Sequence, residues 1–345
     1  MPNKLDTPAA VGGLYEACVG VPDLVAAIAF YEAFGCRVGP VGEIDAAAAR
    51  SLYGVDSALR SVRLLHQTAD HGGVRLMQWE RPLNSGLGLG SSLRCAGSRW
   101  GVRVTSSVFN IVNHAQRARE AGAELTLIEP LLAVIGDVTG AQVARPFRDP
   151  IVGVREMVLL LPHYRQVFFE RFGYESPAYG QINPHCLFRT SQHTHFGLMI
   201  ANDDPSVLDF YANVLGLKRM LDEQVPYENA TGSRSIFGLT PGEGFHMVDF
   251  DDPLSGHALN ERRSGKLKCV RFASNARIEN KLDHSRAGCL GYSMYVWRVR
   301  DLAGLHPRLA AAGVTSLTDI RPDEFGQQAC SFFAPDGYHW TLLQA

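Results

Sequence analysis

Three histidines set into apolar stretches are where this sequence first offers chemistry. His195 opens His195-Phe196-Gly197-Leu198-Met199-Ile200, His246 opens His246-Met247-Val248-Asp249-Phe250, and His339 lies in Tyr338-His339-Trp340-Thr341-Leu342-Leu343. Alternating stretches of this kind read as half-buried strands, in which residues two apart share a face, so His339 and Thr341 point the same way. An imidazole changes charge nearest neutral pH and, when neutral, is the commonest metal ligand. Histidines in such places are satisfied core groups, proton carriers for a bound substrate, or ligands.

Other motifs are weaker. Ser85-Gly86-Leu87-Gly88-Leu89-Gly90-Ser91-Ser92 is glycine-rich and follows a strand, but no lysine or dinucleotide fingerprint accompanies it. It reads as a flexible connector or lid. The basic run at 261–268 reads as a solvated strand or turn, with a phosphate site as the alternative. There is no Gly-x-Ser-x-Gly elbow. Seven scattered cysteines without a CxxC pair fit reduced thiols in a cytoplasmic protein.

The elements that must position these groups come from a repeat. Leu14 to Val21 alternates like a strand; Pro22-Asp23 then caps a helix carrying Phe30-Tyr31, which stops at Phe34-Gly35. The same order returns at His195–Ile200, with Asn202-Asp203-Asp204-Pro205 as cap and Phe210-Tyr211 in the helix. Arg75 to Leu83 matches His246 to Leu254 in residue type, each a strand closed by proline. Two further units follow the pattern. One has a helix near 115–123 and a final strand at Val154–Leu159 after Asp149-Pro150. The other runs from Tyr292 through Ala311-Ala312-Gly313-Val314 to Ala334-Pro335-Asp336-Gly337-Tyr338. The expected organisation is four units in two pairs: an N-terminal domain over 10–160, a linker over 161–189 whose aromatic residues dock on a domain, and a C-terminal domain over 190–345.

The Asp-capped Phe-Tyr helix, the Ala-Ala-Gly-Val helix end and the closing Pro-Asp-Gly turn together resemble the vicinal-oxygen-chelate superfamily of glyoxalases, bleomycin-resistance proteins and extradiol dioxygenases. The resemblance implies an α+β fold of four βαβββ units paired into two domains, each an open cup-shaped sheet with flanking helices. It also implies a divalent metal in one cup, which ring-cleaving members hold with two histidines and a glutamate.

Carried over position by position, that pattern is broken. His195 matches a ligand histidine, but Met294 and Thr341 stand where a second histidine and the glutamate belong. His246 falls where other branches have a carboxylate ligand, so the resemblance sets it across the cup from His195, with His339 nearer the rim. His195 and His246 are the expected catalytic pair, with Met294, His339, Thr341 and Tyr292 binding substrate. No cofactor is expected; a divalent metal on His195, His246 and His339 is the alternative. The counterpart positions in the N-terminal half are Glu16, Arg75, Arg103 and Glu156. Guanidiniums repel a cation, so these read as an ion-pair network in a non-catalytic domain, or as a carboxylate site on Arg75 or Arg103.

Composition narrows the field. The 345 residues carry 33 Lys and Arg against 35 Asp and Glu, a net charge of −2, with no basic stripe for nucleic acid. No apolar run is long enough to span a membrane, and the N-terminus has no signal-peptide pattern. The expectation is a cytoplasmic enzyme acting on an aromatic or polyoxygenated metabolite in the C-terminal cup by proton transfer, as a lyase or isomerase. The rivals are a metal-free binding protein, with Tyr292, Tyr295, Trp297 and Trp340 stacking on its ligand, and a ring-cleaving dioxygenase with a non-standard metal site. A homodimer is permitted, since one chain can close both cups.

Overall fold

The structure is a computed structural model that describes residues 12–135, 151–201, 203–272 and 278–345. The N-terminal residues, Asn202 and Asp149-Pro150, used above as terminus, cap and turn, lie outside the described residues.

The first unit comprises β1 (Glu16–Gly20), α1 (Leu24–Glu32), β2 (Cys36–Ile44), α2 (Ala46–Tyr53), β3 (Leu59–His66) and β4 (Gly73–Trp79). After the two-residue β5 (Cys95–Ala96), the second has β6 (Arg99–Thr105), α3 (Val108–Glu120), β7 (Thr126–Val134), β8 (Gly153–Leu160) and β9 (Arg165–Phe172). The third runs β10 (Thr190–Ile200), α4 (Asp209–Asn213), β11 (Lys218–Pro226), α5 (Ser233–Phe237), β12 (Gly244–Asp251) and β13 (Lys266–Phe272). Past β14 (Glu279–Asn280), the fourth is β15 (Gly291–Val299), α6 (Leu302–Ala311), β16 (Arg321–Pro322), β17 (Gln328–Phe333) and β18 (His339–Gln344).

Local signals explain the starts and stops. Asp23 accepts hydrogen bonds from the Val25 and Ala26 amides at 2.8 and 3.1 Å and so opens α1. Gly35, in the left-handed region at φ +82°, closes it. In the Pro-Asp-Gly turn, Asp336 accepts from the Tyr338 amide and from the Tyr211 hydroxyl of the third unit. The turn is thereby tied to the repeated Phe-Tyr helix.

Four units do form two curled eight-stranded sheets, but the pairing is not within each half of the chain. One sheet has the order β16-β17-β18-β15-β1-β4-β3-β2, joining the first unit to the fourth; the other is β11-β12-β13-β10-β6-β9-β8-β7, joining the second to the third. The seams are antiparallel, with Cys18 opposite Met294 in one and His195 opposite Val102 in the other. The domains expected at 10–160 and 190–345 are thus replaced by an outer pair and an inner pair. The expected linker is not free either: residues 165–172 form β9, the last strand of the second unit.

The two sheets share one core, built from their helix-side faces together with α1, α4 and α6. Trp297 stacks on Trp340 at 5.0 Å, Tyr211 meets Trp340 edge-on, and the Tyr295 hydroxyl bonds the Gly197 carbonyl at 2.9 Å. Tyr292, Tyr295, Trp297 and Trp340, expected to stack on ligand, belong to that core. The opposite faces are the two cups. Among the described residues, no helix is long and apolar enough to cross a membrane.

Candidate active site in the second cup

The first cup, between units one and four, is filled by charge. The Arg75 Nε donates to Glu16 at 2.7 Å, and the Arg63 Nε donates to the other Glu16 oxygen at 2.7 Å. Glu324 bonds Arg75 at 3.2 Å and the Tyr53 hydroxyl at 2.7 Å, and the Phe325 ring lies 4.2 Å from the Arg63 guanidinium. Glu16 is held below the usual carboxylate range: burial opposes its charge, but Arg75 and Arg63 outweigh it. Glu16 and Arg75 do pair, whereas the other two members of the expected network are elsewhere. Arg103 is buried on the helix side of β6, donating to the Ser191 carbonyl at 2.8 Å.

Met294 and Thr341 lie in the first cup, with Thr341 bonding Ser331 at 2.8 Å. His339 is on the same strand face; its ring stacks on Phe333 at 4.4 Å and its Nδ1 accepts from the Ala287 amide at 3.2 Å. The Tyr292 hydroxyl accepts from the Gln166 amide at 2.7 Å inside the shared core. None of these four shares a cup with His195.

His195 faces the second cup. Its β10 neighbours Phe196 and Leu198 point into the shared core, so the alternation turns His195 and Met199 the other way. It lines a cavity of about 60 Å³ together with Glu156, Lys268 and Ser233. The remaining walls are apolar: Trp100 and Val102 from β6, Val167 and Phe169 from β9, Ile236 and Phe237 from α5, Phe245 and Met247 from β12, and Val270 from β13. The Tyr179 hydroxyl sits 2.6 Å from His195 Nδ1 and fixes the ring. Burial, reinforced by Lys266 and Lys268, holds His195 well below the ordinary histidine range, so the imidazole is neutral near pH 7. Glu156 moves the other way, raised by burial and only partly opposed by Lys268.

His246 does not join them. Phe245 and Met247 line the cavity, so His246 points to the opposite face of β12, where its Nε2 meets Asp222 at 2.6 Å. The placement differs because His246 is on the third strand of its unit, while the fourth is β13, within the run read as solvated. Lys266 and Lys268 extend from that strand toward the cup, and Lys266 bonds Asp249 at 3.0 Å. Glu156 was misplaced for the same reason, since β8 is followed by β9. Alternation in Lys266-Leu267-Lys268-Cys269-Val270 was the signal that could have found β13.

The residues present do not fit a metal of the two-histidine-one-carboxylate kind. The three proposed histidines are dispersed over two sheets and two faces, and among the described residues the cavity lining offers one imidazole and one carboxylate beside the Lys268 ammonium, which repels a cation. The glycine-rich segment is no phosphate loop: Arg165 collects the carbonyls of Gly88, Ser91 and Ser92.

The sequence model of the Glyoxalase/Bleomycin resistance protein/Dioxygenase superfamily matches residues 192–342. The matched stretch runs from β10 into β18, the third and fourth units. Glyoxalase I from Zea mays shares its fold over 97% of this chain and 92% of that one, at 14% identity and a TM-score of 0.53. A provisionally assigned dioxygenase from Bacillus subtilis subsp. subtilis str. 168 does so over 98% and 86%, at 12% identity and a TM-score of 0.53. No curated protein matches the chain. The likeness to these structures is one of fold, and the chemistry open to this chain rests on the residues of its own cups.

Proposed function

We propose that the protein is a small-molecule enzyme that works by proton transfer in the second cup, as a lyase or isomerase. One observation carries this reading: a histidine and a glutamate line the same apolar cavity with their pKa values displaced toward each other. A neutral imidazole beside a carboxyl that holds its proton longer than usual offers a base and an acid in one cavity. Neutral His195 accepts a proton from a C–H or O–H of the substrate. Glu156, which keeps its proton to higher pH than a free carboxyl, returns one to the developing anion or leaving group. Tyr179 holds the imidazole during the exchange.

The test is incubation with a panel of aryl and polyoxygenated ketones and hydroxy acids in D2O, followed by proton NMR. The native protein is expected to exchange or eliminate with at least one member, and to do so after dialysis against a chelator. His195→Ala and Glu156→Gln should each slow the reaction by about 10²–10⁴-fold, the usual contribution of a positioned acid or base. Full turnover in both variants would sink the reading, and tight binding without any conversion would favour a binding protein instead.

A further inference from the structure

We propose that the second cup takes a small carboxylate with an aromatic or apolar body, and that Lys268 anchors its charged end. The inference rests on the reading of this cup as the working site, and it is carried by how Lys268 is partnered.

The Lys268 ammonium is at the cavity wall, yet among the described residues no carboxylate lies within hydrogen-bond distance of it. Its nearest partner is the Met247 thioether at 2.8 Å, a weak acceptor, and the closest carboxylate oxygen is Asp249 Oδ1 at 3.7 Å. Asp249 is already held through its other oxygen by Lys266 at 3.0 Å. Two ammoniums therefore share one carboxylate. Asp251 offers no relief, since Arg262 takes it at 3.0 Å. The one other carboxylate of the wall is Glu156, and when it carries its proton the site keeps one uncompensated positive charge. The Lys268 side chain is 24% exposed, and the apolar lining around the rest of it strengthens its attraction for an anion.

Shape selects the rest of the ligand. The cavity of about 60 Å³ has room for roughly two waters, enough for a carboxylate head. The Trp100, Phe169, Phe237 and Phe245 rings around it suit an aromatic or aliphatic body.

Titration calorimetry with benzoate and its neutral isostere benzamide tests this on the full-length protein. Native protein should bind benzoate at least tenfold more tightly than benzamide, the factor of about 1.4 kcal/mol or more expected from one charge-assisted hydrogen bond. Lys268→Met should erase that preference, whereas His195→Ala should keep it while losing turnover. Equal affinity of the native protein for the two compounds, no binding of either at millimolar concentration, or a preference surviving in Lys268→Met would each overturn the proposal. Because His195→Ala reads turnover and Lys268→Met reads charge preference, failure of this inference is distinguishable from failure of the proton-transfer reading.

Discussion

At the residue scale, the buried histidines make the protein sensitive to acid. Burial holds His66 down to about 4 and His339 down to about 3, and holds His193 and His195 well below their ordinary value. In each case the folded pKa lies below the unfolded one of about 6.5. The unfolded chain therefore binds protons first as pH falls. The stability these groups contribute is complete above about pH 6.5 and is lost as pH drops toward the folded values, by about 1.4 kcal/mol per pH unit for each histidine. Asp336, pushed up to about 6 by burial, works in the opposite direction and offsets part of one histidine. Against a total stability of about 5–15 kcal/mol the balance is large. The urea midpoint should fall steeply between pH 6.5 and 5; a flat profile would show that these imidazoles are not kept neutral by the fold. His195 itself was legible as a chemically placed residue, because its own strand alternates around it. Its partners were not, because Glu156 and Lys268 come to the same cavity from other units and Tyr179 from the stretch between β9 and β10.

At the element scale, β10 and β6 are packed so closely that the seam of the second sheet tolerates little. A Cβ at Gly197 would overlap the Trp100 ring, which has no room to swing clear in the core. Gly197→Ala should cost roughly 1–3 kcal/mol or more through overpacking, read as a lower denaturation midpoint. The short α5 presents the opposite case. Phe237 fills the cup mouth against Trp100, Phe245 and Phe272. Phe237→Ala should lower stability by about 3–5 kcal/mol while enlarging the cavity, and unfolding curves would report the first effect directly. The expectation of strands at His195 and His246 held, because alternation is local. What it left open was which strand of a unit each one was. In both inner units a fourth strand follows: β9, which falls in the expected linker, and β13, which begins in the run whose sequence reads as a solvated strand or turn.

At the scale of the whole molecule, the outer pair encloses the inner pair in sequence. Each half of the chain therefore leaves two units without their partners. Expressed separately, fragments cut within 174–182 should not fold as monomers, while the two co-expressed should assemble into one complex with native-like near-UV circular dichroism. Two independently folded monomeric halves would contradict the observed pairing. The same nesting explains why the charges separate as they do: Glu16 and Arg75 close one cup with Glu324 from the distant fourth unit, and Glu156 from the second unit enters the cup of His195.

The sequence alone carries the fourfold repeat, the Asp23 cap, the Pro-Asp-Gly turn and the histidine that faces a cup, because each depends on neighbours within a few residues; the closing strands β9 and β13 it leaves unassigned. Only the tertiary structure decided which units pair and hence which groups meet. Any two open units present a free edge strand, and the alternation that shapes that edge does not say whose edge completes it. Seams between β1 and β15 and between β6 and β10 make that choice through contacts across the chain. That choice sets His195 beside Glu156 and Lys268 and leaves His246 and His339 elsewhere.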